Sequence, residues 1–222
     1  MVENKLKWEN GITPKSKIFD DIYFSTDDGR EESKAVFLSG IAAPQVWLEY
    51  DDFTICELGF GTGLNFFNTA ALWMKHSTPD QCLTYFATEL YPLNKDDIER
   101  AISWPDLNEL KSEFLFSYPV ENFSLCQGRI KLRLLLGSSE DILLKLRNKV
   151  DAWYLDGFAP KKNPDMWTDV IFTQMARLSK PNAKVATFTA AGFVRRGLSN
   201  AGFQVFKREG YGKKREMLGG VY

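Results

Sequence analysis

Residues Cys56 to Phe66 read CELGFGTGLNF: an apolar run ends, glycine recurs at Gly59, Gly61 and Gly63, and a helical pattern begins. A glycine turn between a buried strand and a helix lets backbone come close to a ligand, and the helix start offers unpaired N–H groups. In dinucleotide-binding sheets the spacing is G-x-G-x-x-G and the ligand group is a pyrophosphate. Here the spacing is G-x-G-x-G, with Glu57 just ahead of it. A carboxylate at that point repels a pyrophosphate and suits a ligand that presents a cationic amino acid end.

The flanking patterns decide what sheet the turn belongs to. FTICELGF (53–60), LTYFATEL (83–90), RIKLRLLLG (129–137), VDAWYLDGF (150–158) and AKVATFTA (183–190) are short apolar or alternating runs, the mark of buried strands. Helical stretches follow them in turn: GLNFFNTAALWMKH, KDDIERAISW, SSEDILLKLRN, PDMWTDVIFTQMARLS and AGFVRRGLSNAG. Such alternation calls for parallel pairing, right-handed crossovers and an open doubly wound sheet. The rhythm changes at FQVFKREG (203–210) and REMLGGVY (215–222), which have no helix between them and are predicted as an antiparallel pair at one edge. The fold class is therefore α/β. By analogy, its outline is the Rossmann-like sheet of class I S-adenosylmethionine-dependent methyltransferases. Residues 1–50 stand outside the alternation and are expected to form an N-terminal extension packed on a methyltransferase domain of residues 51–222. Within them FDDIYFSTDDGREESKAVFLSG (19–40) carries the turn signal DDG, which suggests a small hairpin or cap against the sheet edge.

A chain of 222 residues suits one domain with modest additions. Lys plus Arg total 28 against 29 for Asp plus Glu, so partners must be sought in the distribution of charge and not in its sum. Cys56, Cys82 and Cys126 show no paired spacing and read as reduced residues of a cytoplasmic protein. His76 is the only histidine, too few for a zinc site or a Ser-His-Asp triad. The N-terminus is polar, and no apolar run reaches the roughly 20 residues of a spanning helix, so no membrane partner is expected.

S-adenosylmethionine has the cationic end that Glu57 suits. Glu89 closes the second strand, where a carboxylate roughly 20 or more residues past the turn accepts hydrogen bonds from ribose hydroxyls. Asp156 ends the fourth strand at the carboxyl edge, where open α/β sheets bind ligands, and Gly157, Pro160 and Pro164 shape the loop after it. Phe158 and Trp167 bring aromatic faces beside it; Lys161 and Lys162 bring charge. Further basic residues crowd the end of the chain, at Arg195, Arg196, Lys207, Arg208, Lys213, Lys214 and Arg215, a patch suited to nucleic acid phosphates.

FDDIYFS, VFL (Val36 to Leu38), GFGTGLNF, VDAWYLDGFAPKKNPDMW, ATFTAAGFVRRGL and GKKREML occur in order along nearly the whole chain. In these motifs the sequence resembles the methyltransferase part of the MnmC-type tRNA modification enzymes, which methylate 5-aminomethyl-2-thiouridine at the tRNA wobble position. The resemblance implies a tRNA methyltransferase that consumes S-adenosylmethionine, releases S-adenosylhomocysteine and uses no metal and, in this chain, no flavin. Glu57, Gly59, Phe60, Gly61, Gly63, Asn65, Glu89 and Ser138 are then the candidates for holding the donor. Asp156 is the candidate for orienting the amine and taking its proton. Phe158 or Trp167 would stack on the thiouracil ring, and Lys161, Arg195, Arg196, Lys213, Lys214 and Arg215 would hold the tRNA.

Two departures from the family pattern matter. Members often carry an aspartate after the third strand to contact the adenine amino group, whereas here LLLGSSEDI puts Ser138 in that place, with Glu140 or Asp141 as substitutes. The bifunctional members also continue into a flavin-dependent oxidoreductase domain, whereas this chain stops at Tyr222. It is expected to act as a stand-alone methyltransferase or excised domain, with its aminomethyl precursor supplied by a separate enzyme. An aminopropyltransferase-like enzyme and a non-catalytic RNA-binding module are the rival readings. The late basic cluster argues against the first, and the intact Asp156 and glycines against the second.

Overall fold

Period-two alternation along the strands builds a sheet with two buried faces. A computed structural model describes residues 5–25, 28–212 and 214–222. In β3 (Asp52–Leu58), Phe53 and Ile55 turn to one face while Cys56 and Leu58 turn to the other. β4 (Cys82–Glu89) and β7 (Val150–Leu155) follow suit, with Tyr85 and Tyr154 on the first face and Phe86 and Trp153 on the second. The first face is covered by Phe66, Phe67 and Trp73 of α2 (Leu64–His76) and by Phe114 of α4 (Asn108–Ser117). The second is covered by Ile171, Phe172 and Met175 of α6 (Asp169–Leu178) and Leu198 of α7 (Gly192–Asn200), with α5 (Ser139–Lys145) alongside α6. Each fully buried side chain of this size contributes about 1.5–3 kcal/mol.

The other strands of the sheet are β5 (Asn122–Leu125), β6 (Ile130–Leu136), β8 (Ser179–Thr187), β9 (Gln204–Glu209) and β10 (Glu216–Val221). Their order is β5-β6-β4-β3-β7-β8-β10-β9. The run from β6 to β8 is parallel, β10 is antiparallel to both its neighbours, and β5 is antiparallel to β6. The chain moves outward from β3 to β4 and β6, then crosses back to β7 and β8, so the topological switch point lies between β3 and β7. Ligands of doubly wound sheets bind in the crevice at that point, beyond the carboxyl ends of the strands. Register brings those ends level: Leu58 pairs with Thr88 and Leu155, and Leu155 with Thr187.

The predicted antiparallel edge is present, with β10 inserted between β8 and β9. β5 and α4 are absent from the sequence reading. NFSL is only four residues long, and α4 carries the 89% exposed Phe116 on a weakly periodic pattern, so neither announces itself. The N-terminal segment also differs from expectation. The hairpin falls earlier, at β1 (Leu6–Glu9) and β2 (Thr13–Ser16), and is pinned to α3 (Lys95–Ala101) by Arg100, which lies 4.0 Å over the Trp8 ring and donates to the Gly11 carbonyl. The DDG signal opens a helix instead of a hairpin, because the Asp28 carboxylate accepts the Glu31 N–H and caps α1 (Gly29–Ser33). A π-helical turn, Lys34–Leu38, continues α1, and the Arg208 guanidinium donates to the Ala35 and Val36 carbonyls there. No helix among the described residues is long and apolar enough to cross a membrane.

Candidate active site

The glycine turn, the loop after β7 and the N-terminal segment enclose a cavity of about 710 Å³ at the switch point. That volume lies within the usual range for small-molecule sites. Gly59 has φ +94°, and a Cβ there would sit 2.5 Å from the Asp156 carbonyl oxygen, so β3 and β7 approach too closely for any side chain. Gly61 has φ +55°, and a Cβ there would meet the Tyr23 ring at 2.9 Å. Its N–H donates to Glu89 Oε2 at 2.8 Å, and Glu89 Oε1 takes the Tyr91 N–H at 2.7 Å. Burial raises the Glu89 pKa against the pull of these backbone donors. Each of its oxygens keeps a lone pair for a hydroxyl presented by a ligand.

Asp156 stands across the cavity from this carboxylate, at the end of β7. Its backbone N–H continues the ladder to the Leu58 carbonyl, and its carboxylate Oδ2 accepts from Asn65 Nδ2 at 2.6 Å. The same nitrogen donates to Glu57 Oε1 at 2.8 Å, while Asn65 Oδ1 accepts the Ser33 hydroxyl at 2.6 Å. Asn65 thus joins two carboxylates to the N-terminal helix, and Asn68 and Arg30 extend the chain of bonds to Asp106 at the surface. Burial pushes the Asp156 pKa up to about 7; the Asn65 hydrogen bond and then the Lys214 charge restrain it, and the Glu32 charge adds to the rise. A carboxyl that changes protonation near neutrality is suited to accept a proton at that pH.

Several sequence-predicted residues lie elsewhere. Glu57, expected beside a ligand's amino end, is fully buried behind Asn65 with Tyr85 Oη on its other oxygen, and burial and Asp156 hold its pKa well above the ordinary value. Its hydrogen-bonded link to the cavity runs through Asn65. Gly63 is the residue before α2 and faces the Phe60 and Phe67 rings, not the cavity; Phe60 borders the cavity but its ring packs against Phe66 and Phe114. Trp167 offers no stacking face: it is buried, its indole N–H donates to the Phe158 carbonyl, and its ring meets Phe188 edge-on. Ser138 does border the cavity, where it caps α5 by accepting the Asp141 N–H. The proposed substitutes are engaged, Asp141 with the Ser138 hydroxyl and Glu140 with Thr168. Phe158 lines the cavity, held 4.8 Å from the Phe19 ring and 5.0 Å from Tyr23.

The basic cluster divides. Arg195 and Arg196 in the first turns of α7, Lys161 after β7 and Arg215 before β10 are exposed on loops and helix starts at the carboxyl rim. Lys214 instead lines the cavity, ion-paired with Glu32. Lys207 pairs with Glu216, Arg208 turns inward to the π-helical carbonyls, and Lys162 holds Asp21. Lys213 lies outside the described residues.

The sequence reading missed the contribution of residues 16–25 and 29–37. Phe19, Asp21, Tyr23, Glu32 and Ser33 all line the cavity. The ordered FDDIYFS run was the one available signal, since it stands outside the strand–helix rhythm yet carries polar and aromatic groups in a fixed string.

The residues present fit a bound S-adenosylmethionine: a backbone cradle that a Cβ would fill, a carboxylate at Glu89 with lone pairs left for ligand hydroxyls, and acidic lining for a cationic ligand. Among the described residues, no His, Cys, Asp and Glu cluster is placed to hold a metal ion. Comparison with known proteins agrees. The tRNA 5-methylaminomethyl-2-thiouridine biosynthesis bifunctional protein MnmC of Magnetococcus marinus is 44% identical over 97% of this chain and 33% of its own length. That of Leptospira borgpetersenii serovar Hardjo-bovis is 44% identical over 98% of this chain and 34% of its own length. The chain thus spans about a third of the length of these relatives. In fold it is similar to the crystal structure of MnmC2 from Aquifex aeolicus, with TM-score 0.82 and 23% identity over 97% of this chain and 69% of that one. A spermidine synthase shares the fold at TM-score 0.56 and 10% identity, over 94% of this chain and 66% of that one. The family described as S-adenosyl-L-methionine-dependent methyltransferase matches residues 106–222, from before α4 to the end of the sheet, and this chain belongs to it.

Proposed function

We propose that the chain transfers a methyl group from S-adenosylmethionine to the primary amine of 5-aminomethyl-2-thiouridine at the tRNA wobble position. The observation that carries this reading is Asp156, a carboxyl titrating near neutrality at the switch point, inside an acidic cavity whose rim is basic. An aliphatic amine is a cation at neutral pH and attacks carbon only after losing a proton. Asp156 attracts the ammonium and accepts that proton, with Oδ2 fixed by Asn65 so that the other oxygen is left for the acceptor. Phe158, braced by Phe19 and Tyr23, gives a flat apolar face on which a base can lie. Gly59, Gly61 and Glu89 hold the donor, which when bound supplies a methyl carbon on a sulfonium with a neutral thioether as leaving group. The kinship with tRNA-modifying proteins of this description supports the choice of nucleic acid, and Arg195, Arg196, Lys161 and Arg215 supply positive charge for its phosphates.

The test is incubation of the protein with labelled S-adenosylmethionine and tRNA from cells lacking this modification, followed by nucleoside analysis. The expected product is 5-methylaminomethyl-2-thiouridine. Donor binding without that product would remove the tRNA reading. The acidic lining also suits a free polyamine, so label in a polyamine added in place of tRNA would move the assignment to that acceptor.

A further inference from the structure

Glu32 and Lys214 come from opposite ends of the chain and meet on the cavity wall. Lys214 Nζ lies 2.8 Å from Glu32 Oε1 and 4.7 Å from the centroid of the Phe188 ring. The two charges act in opposite senses on Asp156, which places both within electrostatic reach of the proton-accepting group. Apart from Asp165, which is exposed to solvent, Glu32 differs from the other carboxylates of the cavity. Glu89 is held by the backbone N–H groups of Gly61 and Tyr91, Asp21 by the Ala159 N–H and Lys162, and Asp156 by Asn65. Glu32 is held, among the described residues, by one lysine whose side chain is 47% exposed. That lysine sits in the β9–β10 loop, where the Cβ position of Gly212 has no neighbour within 4 Å. A primary ammonium seated between a carboxylate and an aromatic face therefore already occupies this wall, on a half-exposed stem.

We propose that Glu32 is a specificity residue for the methyl acceptor: it receives the acceptor's protonated amine in place of the Lys214 ammonium and passes it to Asp156. This rests on the acceptor being a primary aliphatic amine, as argued above. The two carboxylates then have separate tasks. Glu32 holds the cation; Asp156 takes its proton. The freed lone pair forms the N–C bond as the C–S bond breaks, its electron pair stays on sulfur, and the sulfonium becomes a neutral thioether. Before the acceptor arrives, Lys214 spares Glu32 from standing as an unpaired charge. A nucleotide with an uncharged group at the same position has nothing with which to displace Lys214, so the pair selects for charge as well as shape.

The experiment compares the affinity of the full chain for a tRNA carrying 5-aminomethyl-2-thiouridine with that for the same tRNA carrying 2-thiouridine, without donor. Phosphate contacts cancel in the ratio. The unsubstituted protein is expected to prefer the amine, and Glu32→Gln to lose about tenfold of that preference, the size of one charge-assisted hydrogen bond. Lys214→Met is expected to keep the preference or increase it, because the competing cation is gone. Donor affinity measured in both variants reports that the cavity is still formed. In turnover, Glu32→Gln raises KM for the amine-bearing tRNA by a similar factor, whereas Asp156→Asn acts on kcat. Glu32→Gln discriminating as well as the parent, or Lys214→Met losing the preference, overturns the assignment. If the parent methylates the amine-bearing tRNA while Glu32→Gln discriminates normally, only the role of Glu32 falls. If the parent methylates no tRNA, the functional reading falls with it.

Discussion

Asn65 has one amide nitrogen for two carboxylates, and the rest of its side chain is committed to Ser33. Removing that amide as Asn65→Ala leaves Glu57 and Asp156 facing each other with no donor between them. Asn65 lowers the Asp156 pKa, so its loss moves the acid limb of the rate profile to higher pH. Buried partners left without bonds cost about 1–3 kcal/mol each, and thermal melting should record the drop. Asp156→Asn is the complementary case. The Asp156 pKa lies at about 7 in the folded protein against 3.8 as the ordinary value, so the folded state binds the proton more tightly than the unfolded chain does. Stability contributed by this group therefore falls as pH rises from about 4 through 7. The uncharged variant should lose methyl transfer, keep donor affinity, and melt higher than the parent at pH 8, with the advantage shrinking toward about pH 4. An Asp156→Asn protein that melts lower at every pH would show that the carboxylate is an anchor of the fold and not a buried cost to it.

The glycine turn, as an element, was legible because its demands fall on one residue type at each place: a positive φ and neighbours too close for a Cβ permit only glycine at Gly59 and Gly61. Asp156 was legible for a related reason, since a carboxylate directly after the apolar run AWYL of Val150–Leu155 has no packing role to explain it. Trp167 was misjudged because sequence does not say which way a loop indole turns, and here its N–H is spent on the Phe158 carbonyl within the loop itself. The wall built by Phe19, Tyr23, Glu32 and Ser33 was not legible, since these residues meet partners such as Phe158, Gly61, Lys214 and Asn65 across long separations that leave no local period. The turn and that wall depend on each other. Gly61→Val drives side-chain atoms into the Tyr23 ring, which cannot retreat without releasing Phe158. Calorimetry should find donor binding abolished in this variant, accompanied by a loss of stability of about 1–3 kcal/mol from overpacking. A variant that still binds donor at parental affinity would place the donor away from the turn.

At the scale of the whole molecule, a net charge of −1 conceals a separation: carboxylates line the cavity while exposed cations stand on the rim around it. A polyanion is drawn to such a rim, and its one cationic group is drawn to the interior. Position in the sequence alone does not say which basic residues take part, because Lys207 and Arg208 are closer to the end of the chain than Arg195 and Arg196 yet serve the fold. Arg195→Ala with Arg196→Ala is expected to weaken tRNA binding and to reduce the slope of log affinity against log salt by about 2, one per phosphate contact. Lys207→Ala should leave that slope unchanged, because its charge on the edge strand β9 is already paired with Glu216 of β10. Arg208→Ala should also leave it unchanged but lower the melting temperature, because the Ala35 and Val36 carbonyls lose their donor and the C-terminal edge loses its hold on the helix that carries Glu32 and Ser33. Filter binding across a salt series, read beside thermal melting of the same proteins, separates the two groups. Equal slope changes from all four positions would mean that the tRNA lies over the edge strand and not across the mouth of the cavity, and the path of the acceptor to Asp156 would have to be redrawn.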